Sequence, residues 1–166
     1  MLTNEEANHL LNLEKFLKDP NQVIDLSLKK NSIDLISQKD ALPSFRLEII
    51  TNQKVILKTT LHHLEDTNFT GLLRIDFKGG HRNPEELNHS VPEFLREYVG
   101  RWLDPNEPHI HYYVEGYRPL AWAIPISRTD FPVKTLENTT DLYDLIFNFA
   151  KMINIKSHLS LQQAIF

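Results

Sequence analysis

A chain of 166 residues is long enough to bury a sizeable core, and one domain spanning 1–166 is expected. With no cysteine it has no disulfide, no thiolate nucleophile and no Cys-ligated zinc, and no apolar run approaches the roughly 18 residues of a bilayer span. A net charge of −4 excludes bulk electrostatic attraction to nucleic acid.

Glu5 and Glu6 stand where a secretory leader would be basic, so a cytoplasmic protein without a membrane partner is expected. Thr3-x-x-Glu6 is a capping-box pattern, and Leu10, Leu13 and Leu17, widened by Leu11 and Phe16, predict a first helix. Asp19-Pro20-Asn21 is expected to stop it. The period then falls to two. Ile24, Leu26 and Leu28, then Phe45, Leu47 and Ile49, then Val55, Leu57 and Leu61 alternate with polar residues and predict three strands. Lys29-Lys30-Asn31-Ser32 and Asn52-Gln53 read as turns, the second short enough for an antiparallel hairpin.

Residues 69–78 predict a further strand, with Leu73, Ile75 and Phe77 inward and Arg74, Asp76 and Lys78 opposite. A structureless excursion of about 30 residues before Pro108 would be unusual in a compact domain. Inside it, Ser90-x-x-Glu93 precedes Phe94, Leu95, Tyr98, Val99 and Trp102 at helical spacing, which predicts a short helix. Strands resume at 109–115 and 120–126, and Pro125 puts the last at an edge or a bulge. A final helix begins near Thr140 with the stripe Leu142, Leu145, Ile146, Phe149, Met152 and Ile153. The predicted fold class is α+β: a mainly antiparallel, twisted sheet with N- and C-terminal helices and a short helix inserted before the His-x-His strand.

Chemistry-bearing residues concentrate in two clusters. The first runs from Arg74 and Asp76 through Gly79-Gly80 into His81-Arg82-Asn83-Pro84. Two glycines allow close backbone approach, and Asn83 before Pro84 is biased to an extended conformation, as suits a binding loop. The second cluster is Pro108-His109-Ile110-His111-Tyr112-Tyr113-Val114-Glu115-Gly116-Tyr117. In a regular strand His109, His111, Tyr113 and Glu115 share one face.

Three readings of that face stand together. His109, His111 and Glu115 have the donor types of a divalent metal site. Alternatively, no cofactor is needed: His109, His111 and His81 transfer protons, Asp76 orients an imidazole, and Arg74, Arg82, Asn83 and Tyr113 bind substrate. Such a set would serve metal-independent cleavage of RNA, whose 2′-hydroxyl is an internal nucleophile. The third reading is a solvated polar strand face. His62 and His63 point to opposite faces and are not expected to ligate jointly.

At these residues the chain resembles an uncharacterised bacterial and phage-associated family of unknown function. The shared blocks are Arg74-x-Asp76, the glycine-rich turn into His81-Arg82-Asn83-Pro84, the Pro-His-x-His-x-Tyr-x-Glu-Gly-Tyr run from Pro108 to Tyr117, and Trp122-Ala123-Ile124-Pro125. The segment from Ser90 to Leu103 is longer here than the link in that family. The resemblance implies where a site lies and gives no activity. The expectation carried forward is an RNase-like or toxin-like enzyme acting on RNA. Its rival is a module that binds another protein through Tyr98 and Trp102.

Overall fold

The computed structural model describes residues 1–37, 43–52, 54–62 and 69–162. The first helix, α1 (Asn4–Asn12), carries the expected capping box: the Thr3 hydroxyl accepts from Glu6 N–H while the Glu6 carboxylate accepts from Thr3 N–H. It stops earlier than the apolar stripe implied. Lys15, fully buried, donates its ammonium to the carbonyls of Leu11, Leu13 and Ile153 at 2.8–3.0 Å. Those bonds satisfy orphan carbonyls beyond the helix end. Phe16 and Leu17 therefore belong to a strand, β1 (Lys15–Leu17).

The sheet order is β1–β3–β4–β5–β6–β9–β10, every neighbouring pair antiparallel. Its other members are β3 (Lys30–Ser37), β4 (Ser44–Ile50), β5 (Ile56–His62), β6 (Phe69–Asp76), β9 (His109–Tyr112) and β10 (Trp122–Pro125). Outside it, β2 (Val23–Asp25) pairs in parallel with β11 (Ser160–Gln162), and β7 (His81–Arg82) pairs with β8 (Trp102–Leu103). Two helices complete the chain, α2 (Glu93–Arg96) and α3 (Thr139–Met152). The α+β class is as expected, and Pro125 does lie on an edge strand.

Three local expectations need correction. Lys30, Asn31 and Ser32 open β3 rather than forming a turn; Ile33 and Leu35 below them are fully buried and pull the segment into the sheet. The inserted helix is a single turn, its Pro92 cap has no side-chain hydrogen bond, and Trp102 lies in β8 instead of on a helical stripe. The last two sheet strands end at Tyr112 and Pro125. Asn52 adopts φ 85°, which fits the predicted turn, while Gln53 and His63 lie outside the described residues.

One face of the sheet is apolar. Ile33, Leu47, Ile49, Leu57, Ile75 and Ile110 share a buried cluster with Leu145, Ile146, Phe149 and Ile153 of α3. Burial of roughly ten such side chains, at about 1.5–3 kcal/mol each before entropy, makes this cluster the main stabilising element. A smaller cluster joins Val91, Leu95 and Tyr98 of the excursion to Val114, Trp122 and Ile124 beside the sheet edge. The opposite, polar face carries the register pairs Ser32–Glu48 and Arg74–His111, the latter followed by Ala123 on β10.

Candidate functional site

Antiparallel pairing of β6 with β9 sets Arg74 opposite His111 and Asp76 opposite His109. The excursion then returns through β7 and brings in His81. The His81 and His111 ring centroids are 4.5 Å apart, His109 and His111 4.8 Å, and His81 and His109 6.0 Å. Three imidazoles, a carboxylate and a guanidinium from three separate stretches of chain therefore form one cluster.

Arg74 Nη2 lies 2.8 Å from His111 Nε2, and Asp76 Oδ2 is 3.1 Å from that same nitrogen. Arg74 Nε makes a 2.9 Å ion pair with Asp76 Oδ1, without hydrogen-bond alignment, so neither atom has a hydrogen-bond partner. His109 Nε2 is buried, also without a partner, and 3.8 Å from Asp76 Oδ2.

Main-chain carbonyls hold the other ring nitrogens. His109 Nδ1 is 2.7 Å from Glu107 O, His111 Nδ1 is 2.9 Å from Leu120 O, and His81 Nε2 is 2.8 Å from Ala121 O. A carbonyl only accepts, so each of these nitrogens carries the proton. In the neutral rings the bare nitrogens are then Nε2 of His109, Nε2 of His111 and Nδ1 of His81. Leu120 presents its carbonyl from a left-handed conformation, φ 60°, which a non-glycine residue adopts at a cost of about 1–3 kcal/mol. Gly71 makes room for it: a Cβ there would stand 2.5 Å from Leu120 Cδ1.

Burial pushes the His111 imidazole down to about 4, with Arg74 adding to the effect, although Asp76 pulls the other way. Burial also lowers His81. For Asp76 burial works to raise the carboxyl, yet His111, Arg74 and His109 together hold it below the ordinary carboxylate value. These shifts favour neutral His81 and His111 imidazoles beside an ionised Asp76 carboxylate at neutral pH.

Of the remaining sequence-predicted residues, Asn83 borders the cluster beside His81, and Arg82, Tyr113 and Glu115 lie outside it. Asn83 is buried: its Nδ2 donates to Tyr98 O and Ala123 O, and its Oδ1 accepts from Ala123 N–H. It closes the open edge of β10, a fixing role for the His81 loop. Arg82 is exposed on β7, donating to Gly100 O at 3.2 Å. The Tyr113 hydroxyl donates to Leu2 O, beyond the end of β9. Glu115 is not in the cluster; its carboxylate accepts from Asn4 N–H at 3.3 Å. The strand ends before reaching it, so the i, i+2, i+6 face does not extend that far, and Asp76 is the carboxylate beside His109 and His111.

Sequence reasoning missed the carbonyls of Glu107, Leu120 and Ala121, because a main-chain acceptor has no residue-type signal. The two aromatic anchors divide: Trp102 is 52% exposed, and Tyr98 is buried. Among the described residues no helix is long and apolar enough to cross a membrane.

An α+β fold with a buried imidazole–carboxylate–guanidinium cluster defines the class to which the chain is assigned by its architecture. The model of the family of unknown function DUF6978 matches residues 2–155, and the chain belongs to that family. Neither the curated proteins nor the solved structures contain a match to it.

Proposed function

We propose that the chain is a small enzyme acting on a phosphodiester, with RNA as the substrate class. The observation that carries this reading is the convergence of His81, His109, His111, Asp76 and Arg74 in one cluster. Burial distributes the roles. His109 and His111 have almost no exposed surface, and a substrate would not reach them. His81 is only partly buried, and the Arg74 side chain is 30% exposed. The acid–base work therefore falls to His81, and Arg74 holds the phosphate, with Arg82 on the neighbouring ribbon as a second cation.

In this reading His81 Nδ1 takes the proton of the 2′-hydroxyl. The 2′-oxygen attacks phosphorus, the bond to the 5′-oxygen breaks, and the leaving oxygen takes a proton from water. The product ends are a 2′,3′-cyclic phosphate and a 5′-hydroxyl. Arg74 stabilises charge that develops on the non-bridging oxygens. Glu85, Glu86, Glu93 and Glu97 on the same excursion keep general attraction to nucleic acid weak, so recognition rests on local contacts.

The test is a panel of single-stranded and hairpin RNAs, incubated with and without added divalent metal. Wild type should release cyclic-phosphate ends and leave a deoxyribose copy intact. His81→Ala and Arg74→Ala should each lose about 100-fold or more in rate while keeping the wild-type circular-dichroism spectrum. No cleavage by wild type on any RNA of the panel, in either condition, rejects the proposal.

A further inference from the structure

We infer that Asp76, His109 and His111 form a binding site for one divalent transition-metal ion, with zinc as the best-matched probe. The inference concerns the same cluster but stands without the phosphodiester reading, since it makes no use of a substrate.

Two bare nitrogens lie beside one carboxylate oxygen. His109 and His111 each donate Nδ1–H to a backbone carbonyl, which leaves Nε2 as the lone-pair nitrogen on both. That is how metal-ligating histidines are usually held: the second ring nitrogen is tied to a carbonyl or carboxylate, which fixes tautomer and ring orientation. The Nε2 atoms stand 3.1 and 3.8 Å from Asp76 Oδ2, and one ligand atom from each of the three residues lies within 4.8 Å of the others. Ligand bonds of about 2.0 Å around a tetrahedral ion put donors about 3.3 Å apart. The observed spacings bracket that edge.

The same three groups are poorly satisfied by one another. With Nδ1–H committed to Leu120 O, a neutral His111 has a lone pair on Nε2, and this faces the Asp76 oxygen lone pairs at 3.1 Å. His109 Nε2 has no donor at all, though its side chain is about 1% exposed. A buried acceptor without a partner costs about 1–3 kcal/mol. One divalent cation among them would satisfy all three atoms together.

Arg74 is the competing cation. Its Nη2 donates to His111 Nε2 and its Nε pairs with Asp76, so it serves two of the three groups and leaves His109 unserved. Its side chain is 30% exposed, whereas Asp76 and both histidines are buried. Three protein ligands leave the ion an open position for a water molecule. Glu115, the carboxylate that follows the histidines in sequence, takes no part because it is bonded to Asn4.

The experiment is calorimetric titration of metal-stripped protein with ZnCl2, paired with cobalt(II) absorption spectroscopy. Wild type should bind one equivalent and show the intense visible bands of a tetrahedral cobalt site. His109→Ala and Asp76→Asn should lose binding by at least about tenfold, and Glu115→Gln should not change it. Arg74→Ala should bind metal more tightly than wild type, because the competing cation is gone. This variant keeps the inference falsifiable if the ligand substitutions unfold the chain. No stoichiometric binding by wild type or by Arg74→Ala overturns the metal site and leaves the acid–base reading intact. Metal binding without RNA cleavage does the reverse.

Discussion

The two ends of the sheet's polar face carry similar residues with opposite fates. At the β3–β4 end, half-exposed Lys30 pairs with a buried Glu48 at 2.9 Å, and Arg46 pairs with a half-exposed Asp34 at 3.1 Å. At the β6–β9 end, Arg74 and Asp76 pair at the same short range, but Asp76 is 9% exposed and the two histidines beside it are sealed. Only the second end lies beneath the excursion between β6 and β9. Water screens the Arg46–Asp34 pair, and such a pair contributes about 0–1 kcal/mol, whereas the Glu48 carboxylate is sheltered much as Asp76 is. Exclusion of water strengthens every interaction in the second set, and an unmet group there is costly. A polar strand face becomes a candidate site where the chain covers it.

The largest expected effect comes from lifting the cover. Asn83→Leu removes three buried amide bonds to Tyr98 and Ala123 and should cost about 4 kcal/mol in urea unfolding. A loss below about 1 kcal/mol would mean that the amide does not hold the His81 loop in place.

Acid should then separate the two ends. The folded pKa of His111, about 4, lies below its ordinary value of 6.5, so the unfolded chain binds the extra proton first as pH falls. This group's contribution is fully present above pH 6.5 and is lost as pH drops towards 4. The loss reaches about 3 kcal/mol for metal-free protein. Denaturant midpoints across that range, with the His111 ring resonances followed by NMR, measure it. A ring titrating near 6.5 would remove the difference between the two ends. The smallest effect belongs to the open end: Asp34→Ala should shift unfolding by no more than about 0.5 kcal/mol in 0.15 M salt. A larger loss would show that the solvated pairs matter more than their exposure implies.

Much of the scaffold was legible because period-two patterns are local. Phe45, Leu47 and Ile49 mark β4, the Leu73–Ile75 alternation marks β6, and the α3 stripe marks its helix. The errors arose where a distant partner overrode a local pattern. Leu17 fits a helical stripe, yet the Lys15 ammonium, reaching across to Ile153, caps the chain and releases Phe16 and Leu17 to the sheet. Trp102 fits the stripe of Phe94 and Tyr98, yet it pairs with Arg82 in β8.

By itself the sequence determined the α+β class, the start of α1 set by its Thr3–Glu6 capping box, and the residue types of the cluster, since these follow from periodicity and side-chain chemistry along neighbouring positions. Tertiary structure alone decided that Asp76 rather than Glu115 faces the two histidines, and that backbone carbonyls choose the protonated ring nitrogens. It also decided that the excursion covers one end of the polar face. Each of these depends on strand register and on contacts between residues far apart in the chain, and neither is encoded in any single stretch.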